Sequence, residues 1–377
     1  NSIGFDEHHL RQGLYQSAFH PYLTNTGGNS RGDALKLVHT AAAAYPNAFV
    51  KPISEETGKL TFQLEKFAKA NNIKQEKAHD ALSDVEATLD VCKLIKDRCS
   101  DVWLSSQKTL SKSDVYSFMN RDQAFCSTRY YRGFQYTNGI VYLTKNPAYE
   151  NHIYAFDLKH DPEYIFDLDR KELKALFKGK DKCFHLIKAN EFPILLDEKY
   201  LYQSKEYKNI KPEEISKRVK QIRSNKTFVE KFENLLFDIQ SDKELSTDQS
   251  PKLIEDQIYN GFPDNKDKYL MNEFHAASPD KKYEIAEKIS DLRIKEFAIR
   301  IIFSEFEDCM PKKEVIKRNR LIAENHLTLD EKPWCTIPQA MLAIDNLREN
   351  EEDVDLERLD EIDEFLQENE ANFKKYL

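Results

Sequence analysis

The stretch Lys77-Ala78-His79-Asp80-Ala81-Leu82-Ser83-Asp84-Val85 sets a histidine five residues before an aspartate, at the entry of a helical pattern. Leu82, Val85, Leu89, Cys92 and Ile95 recur at three- and four-residue spacing, which predicts one helix over Ala78 to Asp97. An imidazole beside a metal-bound water can act as general base, and a carboxylate nearby can hold the metal. Spacing alone is a weak signal, because Asp80 or Ser83 capping a helix with His79 on its surface explains the same letters. Upstream, Asn1-Ser2-Ile3-Gly4-Phe5-Asp6-Glu7 places Asp6 where an amphipathic pattern running to Phe19 begins. Taken alone, Asp6 reads as the cap of that helix.

Outward from these stretches, Asp33 to Ala44 and Thr61 to Ala70 have helical patterns, separated from the first helix by a polar Gly- and Asn-rich loop over Tyr22 to Gly32. After Trp103 the character changes. Phe134–Tyr136, Ile140–Leu143, Ile153–Leu158, Phe184–Lys188 and Phe192–Leu196 read as short strands, with a helical insert over Asp169 to Phe177. Asn138-Gly139 between the first two is a hairpin signal. From Lys211 the pattern is helical again, with Pro212-Glu213-Glu214 suited to a first turn and further runs over Thr227 to Ile239, Asp280 to Phe306 and Leu356 to Tyr376. We therefore expect an α+β chain of three parts: 1–105, 106–205 as a β domain, and 206–377 as a helical domain.

Length and composition set limits. The chain has 377 residues, 40% of them apolar, which suits more than one core. No run approaches the ~20 apolar residues of a membrane span. Six cysteines without a CxxC pair argue against a disulfide scaffold or zinc ribbon and suit a reducing cytoplasm. Net charge is -9, but Arg348 to Leu377 holds twelve acidic and four basic residues, so the rest of the chain is close to neutral. Net charge thus permits a local basic groove. The acidic segment is amphipathic through Leu356, Leu359, Ile362, Phe365 and Leu366 and reads as a docked terminal helix.

In order, Asn1-x-x-x-Phe5-Asp6 and His79-x4-Asp84 resemble the second and third motifs of the DEDDh 3′–5′ exonuclease superfamily. The resemblance extends to the bacterial exodeoxyribonuclease I family through Lys69-Ala70-Asn71-Asn72-Ile73 with the His79 segment, Phe184-His185-Leu186-Ile187-Lys188 with Phe192-Pro193-Ile194-Leu195, and Gln257-Ile258-Tyr259-Asn260-Gly261-Phe262. It implies a partial RNase H-like exonuclease domain, an SH3-like β domain and a helical domain closing over DNA. It also implies hydrolysis of single-stranded DNA to nucleoside 5′-monophosphates with Mg²⁺, Asp6 and Asp84 as metal-linked carboxylates and His79 as general base. The partners implied are single-stranded DNA and single-stranded-DNA-binding protein. A monomer acting in DNA repair is expected.

Two-metal hydrolysis sets its ions ~3.5–4 Å apart, so several carboxylates must surround them. The family's first motif, Asp-x-Glu, lies upstream of its second, where this sequence begins; Asp84-x-Glu86 and Asp355-x-Glu357 have the right letters in the wrong places. We expect a fragment lacking roughly one hundred residues of the nuclease domain. We also expect the 377-residue chain to be inactive, helices such as Ala78–Asp97 to expose their apolar stripe, and residues 1–100 to be less stable than the rest.

Aromatic side chains interleaved with cations suit single-strand binding. Arg129-Tyr130-Tyr131-Arg132-Gly133-Phe134-Gln135-Tyr136 has that pattern, with Arg129, Tyr130, Tyr131 and Arg132 as the candidate contacts, although alternating aromatics also suit a strand core. Lys217-Arg218-Lys220-Arg223-Lys226 is a basic helix face that reads as solvated. Two other readings stand beside the nuclease. One is a phosphohydrolase with His79-Asp80 as a metal pair, for which no second His-rich motif appears. The other is a non-catalytic single-strand- or partner-binding remnant.

Overall fold

In the computed structural model, which describes residues 2–75, 80–179, 183–246, 252–350 and 354–377, a π-helical turn over Ser2–Asp6 leads into α1 (Glu7–Gln16). Then follow α2 (Ala34–Ala44), α3 (Leu64–Ala70), α4 (Ala81–Arg98), α5 (Ser100–Ser106) and α6 (Lys112–Met119). Asp33 caps α2 by accepting from the Leu35 and Lys36 amides, and Asp80 caps α4 by accepting from Ser83. Both are short acceptors placed where a helix start leaves amides unpaired. The α4 stripe divides along its length: Ile95 is buried with Ala87 and Val91, whereas Leu82, Val85 and Leu89 are 66%, 56% and 54% exposed. Helix α4 packs instead on α2, whose Ala41 and Ala42 are wholly buried and let the backbones approach.

The sheet comprises β1 (Phe125–Tyr131), β2 (Phe134–Lys145), β3 (His152–Asp157), β4 (Phe184–Lys188) and β5 (Leu195–Asp197). Its order is β4-β3-β2-β1-β5 and every pairing is antiparallel. The alternation of strand side chains builds two cores. Cys126, Val141, Phe156 and Leu196 point into one, shared with α2, α4 and the later helices. Phe125, Ile140, Ile153 and Leu195 point into the other, closed by Val115, Phe118 and Met119 of α6.

The hairpin lies elsewhere than at Asn138-Gly139. Those residues sit inside β2, and the two-residue turn is Arg132-Gly133, with φ of 50° and 87°, between paired Tyr131 and Phe134. Two left-handed residues in succession match the twist of the strands. Gly139 is needed for packing: a Cβ there would stand 2.9 Å from both Leu201 Cδ1 and Tyr207 Cε1. β1 covers the start of the Arg129 stretch, for which a strand was one of the two readings, and the expected strand at Phe192–Leu196 starts only at Leu195, with Phe192 left-handed at φ 54°.

Between β3 and β4 lie α7 (Glu163–Phe166) and α8 (Arg170–Lys178), the second opened by a reciprocal capping box of Asp169 and Glu172. After β5 come α9 (Pro212–Ser224) and α10 (Lys226–Ser246), both packed on β2. Apart from the second half of α1, all of this belongs to one compact unit, Asn1–Arg11 with Tyr22–Pro251.

The second unit is Gln12–Pro21 with Lys252–Leu377. It contains α11 (Asn265–Ala276), α12 (Pro279–Lys288), α13 (Leu292–Glu305), α14 (Lys312–Leu327), α15 (Ile337–Asn350) and α16 (Leu356–Lys374). The run expected as one helix over Asp280 to Phe306 is broken at Ser290-Asp291, whose amides both donate to the buried Asp267 carboxylate at 2.8 Å. Tyr15 is buried in this core, edge-on to Phe297, with its hydroxyl donating to the Ile254 carbonyl. The acidic helix α16 docks on α14 and α15: Leu359 is buried, and Arg348 pairs with Asp360 and Asp363. Phe365 and Leu356, expected on its buried stripe, are exposed. No helix among the described residues is long and apolar enough to cross a membrane.

Candidate nucleic-acid interface

The three expected catalytic residues fall in different settings. Asp6 ends the π-helical turn and is exposed. Asp84 stands in the first turn of α4, half-buried, and accepts from Gln75 Nε2 at 2.7 Å. His79 lies outside the described residues. Among the described residues, no three His, Cys, Asp or Glu side chains are grouped so as to hold a metal ion.

The expected strand-binding residues separate by face. Cross-strand register pairs Arg129 with Tyr136 and Tyr131 with Phe134, so these four share one face of the β1–β2 ribbon. The Arg129 guanidinium carbon lies 5.0 Å from the Tyr136 ring centroid, and that of Arg132 lies 5.2 Å from the Tyr131 centroid. Tyr131 and Phe134 are both 57% exposed. Lys59, from the turn closed by the Ile53–Leu60 bridge, holds its ammonium 5.7 Å from the Phe134 centroid. Its stem lies against the turn glycine, where a Cβ on Gly133 would stand 2.6 Å from Lys59 Cβ. Two open rings flanked by Arg129, Arg132 and Lys59 form a surface suited to stacking and charge attraction.

Tyr130 has a different setting. It pairs with Gln135 on the opposite face, where its hydroxyl donates to the Leu60 carbonyl and its ring meets His39 and Phe62. The Arg129–Tyr136 pattern placed Tyr130 with the candidate contacts, held Phe134 and Tyr136 without singling them out, and did not reach Lys59. The Arg132-Gly133 dipeptide was the signal available, since a turn there sets Phe134 and Tyr136 opposite Tyr131 and Arg129.

Of the basic residues expected on a solvated face, Lys217, Lys220 and Lys226 are exposed as expected, whereas Arg218 and Arg223 are committed to the protein. Arg218 donates to the Leu158 and Lys159 carbonyls, and Arg223 pairs with Asp122 while its guanidinium covers the Tyr142 ring. These arginines fasten α9 to the sheet and are not a solvated stripe.

Beside the ribbon is a cavity of about 620 Å³ lined by α2, β1, β4 and the loop after β4. His39 lines it, and burial pushes its imidazole down to about 4, so the ring is neutral at neutral pH. His185 also lines it and hydrogen-bonds through Nε2 to Asp157 Oδ2 at 2.8 Å. Asp157 is wholly buried and also accepts from the Tyr207 hydroxyl and, at 3.2 Å, from Asn138 Nδ2. Burial pushes the Asp157 carboxyl up, but the bond and charge of His185, the Tyr207 hydroxyl and the Lys159 amide hold it below the usual range.

Two family models match the chain, the exonuclease I SH3-like domain over residues 111–238 and the exonuclease I C-terminal domain over 252–369. An exodeoxyribonuclease I of Haemophilus influenzae is 25% identical over 335 residues, covering 84% of this chain and 69% of that protein. The structure of Escherichia coli exonuclease I with a dT13 oligonucleotide aligns with a TM-score of 0.69 at 19% identity, covering 99% of this chain and 79% of that one. A solved ExoI/SSB-Ct complex aligns with a TM-score of 0.66 at 19% identity, with coverage of 99% and 79%. The structural likenesses carry the fold, in which the five-stranded sheet and α6 to α10 occupy the SH3-like region. With the two family models together spanning well over half its length, the chain belongs to the bacterial exonuclease I family.

Proposed function

We propose that this chain is the single-strand-binding body of a 3′–5′ exonuclease that degrades single-stranded DNA. The observation that carries this reading is the shared face of Arg129, Tyr131, Phe134 and Tyr136, with two open rings among cations on an SH3-like domain. Stacking on a ring face needs an unpaired base and tolerates any base, so such a surface favours single strands over duplex without reading sequence. Asp6, Asp84 and His79 are the residues of this chain proposed to serve hydrolysis, as carboxylates linked to Mg²⁺ and as the base. Single-stranded-DNA-binding protein is the proposed protein partner, and cytoplasmic DNA repair the proposed setting.

For the 377 residues by themselves we propose binding without digestion. Incubating the chain with 3′-labelled single-stranded DNA and Mg²⁺ tests both. Retention of the strand without release of mononucleotides is expected. Mg²⁺-dependent release, abolished by Asp84→Ala, would overturn the inactivity. Joined to a segment carrying an Asp-x-Glu strand, the chain is expected to release 5′-mononucleotides and to stop doing so with Asp6→Ala, His79→Ala or Asp84→Ala.

A further inference from the structure

The cavity beside the ribbon has a charge arrangement that stacking does not require. Lys36 of α2, Arg129 of β1 and Lys188 at the end of β4 line it, together with His185. Glu191 is the one acidic residue in that lining among the described residues. Its carboxylate lies between two of the cations: Lys188 Nζ donates to Oε1 at 2.7 Å, and Lys36 Nζ stands 3.9 Å from Oε2. A single anion spanning two ammonium groups, with each oxygen toward one of them, is the arrangement a phosphodiester would adopt there.

The backbone holds Glu191 in that place. Arg31 donates to the Asn190 carbonyl at 2.8 Å, and Lys36 donates to the Glu191 carbonyl. Phe192 follows in the left-handed region, which L residues seldom occupy, and its ring is buried against Gly32. A Cβ on Gly32 would stand 3.3 Å from Phe192 Cζ, so the glycine makes room for the ring. The Glu191 side chain itself is 42% exposed, so it can swing into solvent without unfolding anything. Burial works against the Lys36 charge and Glu191 supports it, so Lys36 gains from whichever anion sits opposite. On the cavity wall, His185 is fixed by the buried Asp157. A carboxylate acceptor requires hydrogen on Nε2, which leaves Nδ1 as the ring's remaining hydrogen-bonding atom.

We propose that this cavity is a backbone subsite for single-stranded nucleic acid, in which Glu191 occupies the position between Lys36 and Lys188 that a phosphodiester takes when a strand binds. The subsite rests on the single-strand reading above and adds a competitor built into the chain. Entry of the strand displaces the Glu191 carboxylate, and both lysines transfer to phosphate. Removing the carboxylate therefore strengthens binding, an outcome that simple loss of structure cannot imitate.

The test is fluorescence anisotropy of a labelled oligothymidine of about sixteen nucleotides, a length that spans a single-strand site, with EDTA present to prevent digestion. Glu191→Gln is expected to bind about three- to tenfold more tightly than the unmodified chain at ~50 mM salt, with a salt dependence steeper by about 0.7, the value for one added phosphate contact on a single strand. Lys36→Gln and Lys188→Gln are expected to weaken binding and flatten the slope. The backbone bond to the Glu191 carbonyl survives Glu191→Gln, and an unchanged thermal melt confirms that the loop is retained. If Glu191→Gln binds no more tightly while Tyr131→Ala with Phe134→Ala abolishes binding, the subsite is wrong and the stacking surface stands. If the unmodified chain does not bind the oligonucleotide at all, the single-strand reading fails and the subsite with it.

Discussion

Arg129 and Tyr136 face one another across the β1–β2 ribbon, the guanidinium carbon 5.0 Å from the ring centroid, and the next pair on that face is Tyr131 with Phe134. Period-two alternation sends Tyr130 to the other face, onto His39 and Phe62. Neighbouring tyrosines therefore have separable effects. Tyr131→Ala and Phe134→Ala are each expected to cost about 1–3 kcal/mol of single-strand affinity, the range for loss of one base–aromatic stack, with the melting temperature unchanged. Tyr130→Ala is expected to lower the melting temperature. Anisotropy titrations and calorimetric melts of the three variants check this, and a Tyr131→Ala variant that melts early but binds normally would contradict it.

Gly139 lies under Leu201 and Tyr207, with no room for a Cβ on either side. Gly139→Ala is expected to destabilise the first unit by about 1–3 kcal/mol, as overpacking does. A urea melt should show the loss. Gly27, whose built Cβ meets nothing within 4 Å, is left-handed at φ 65°, so Gly27→Ala costs through backbone strain alone. Equal stability of Gly139→Ala and the unmodified chain would mean that this packing is wrong.

Asp157 connects folding to pH. Its folded-state carboxyl titrates below the usual range, so its stabilisation is fully present above the unfolded value of about 3.9 and is lost as pH falls through the lower folded value. Asp157→Asn is expected to cost about 1–3 kcal/mol at neutral pH by leaving His185 and Tyr207 poorly matched, and to flatten the acid limb of the stability curve. Chemical denaturation from pH 7 down to about 3 measures both. An acid limb as steep in the variant as in the unmodified chain would assign that dependence to other carboxylates.

Much of the chain was readable where local chemistry decides the structure. Asp80 caps α4 as its position suggested, and the helical runs expected from Asp33 and from Asp169 begin immediately after those residues, which cap them. Phe184–Lys188 forms a strand with the expected bounds. The misplaced features are those decided by distant residues. Asn138-Gly139 is the better turn dipeptide by propensity, yet Leu201 and Tyr207 claim the space over Gly139 and the turn moves to Arg132-Gly133. The break between α12 and α13 depends on Asp267, more than twenty residues upstream of the amides it accepts. In the candidate site, Arg129 and Tyr131 were legible as an aromatic–cation pattern. Phe134 and Tyr136 lay in the same stretch without being singled out, and Lys59 was not legible, because its place follows from a loop contact that the pattern does not encode.

The central claim is that an open aromatic face on the SH3-like sheet binds unpaired strands, and competition between strand types tests it most directly. The 377-residue chain, with EDTA present, would be titrated into labelled oligothymidine of about sixteen nucleotides and then challenged with unlabelled single strand or with duplex of equal length. The account predicts binding that single strand displaces at far lower concentration than duplex, and that the Tyr131→Ala, Phe134→Ala double variant loses. Equal displacement by duplex, or binding unaffected by removal of both rings, would contradict it.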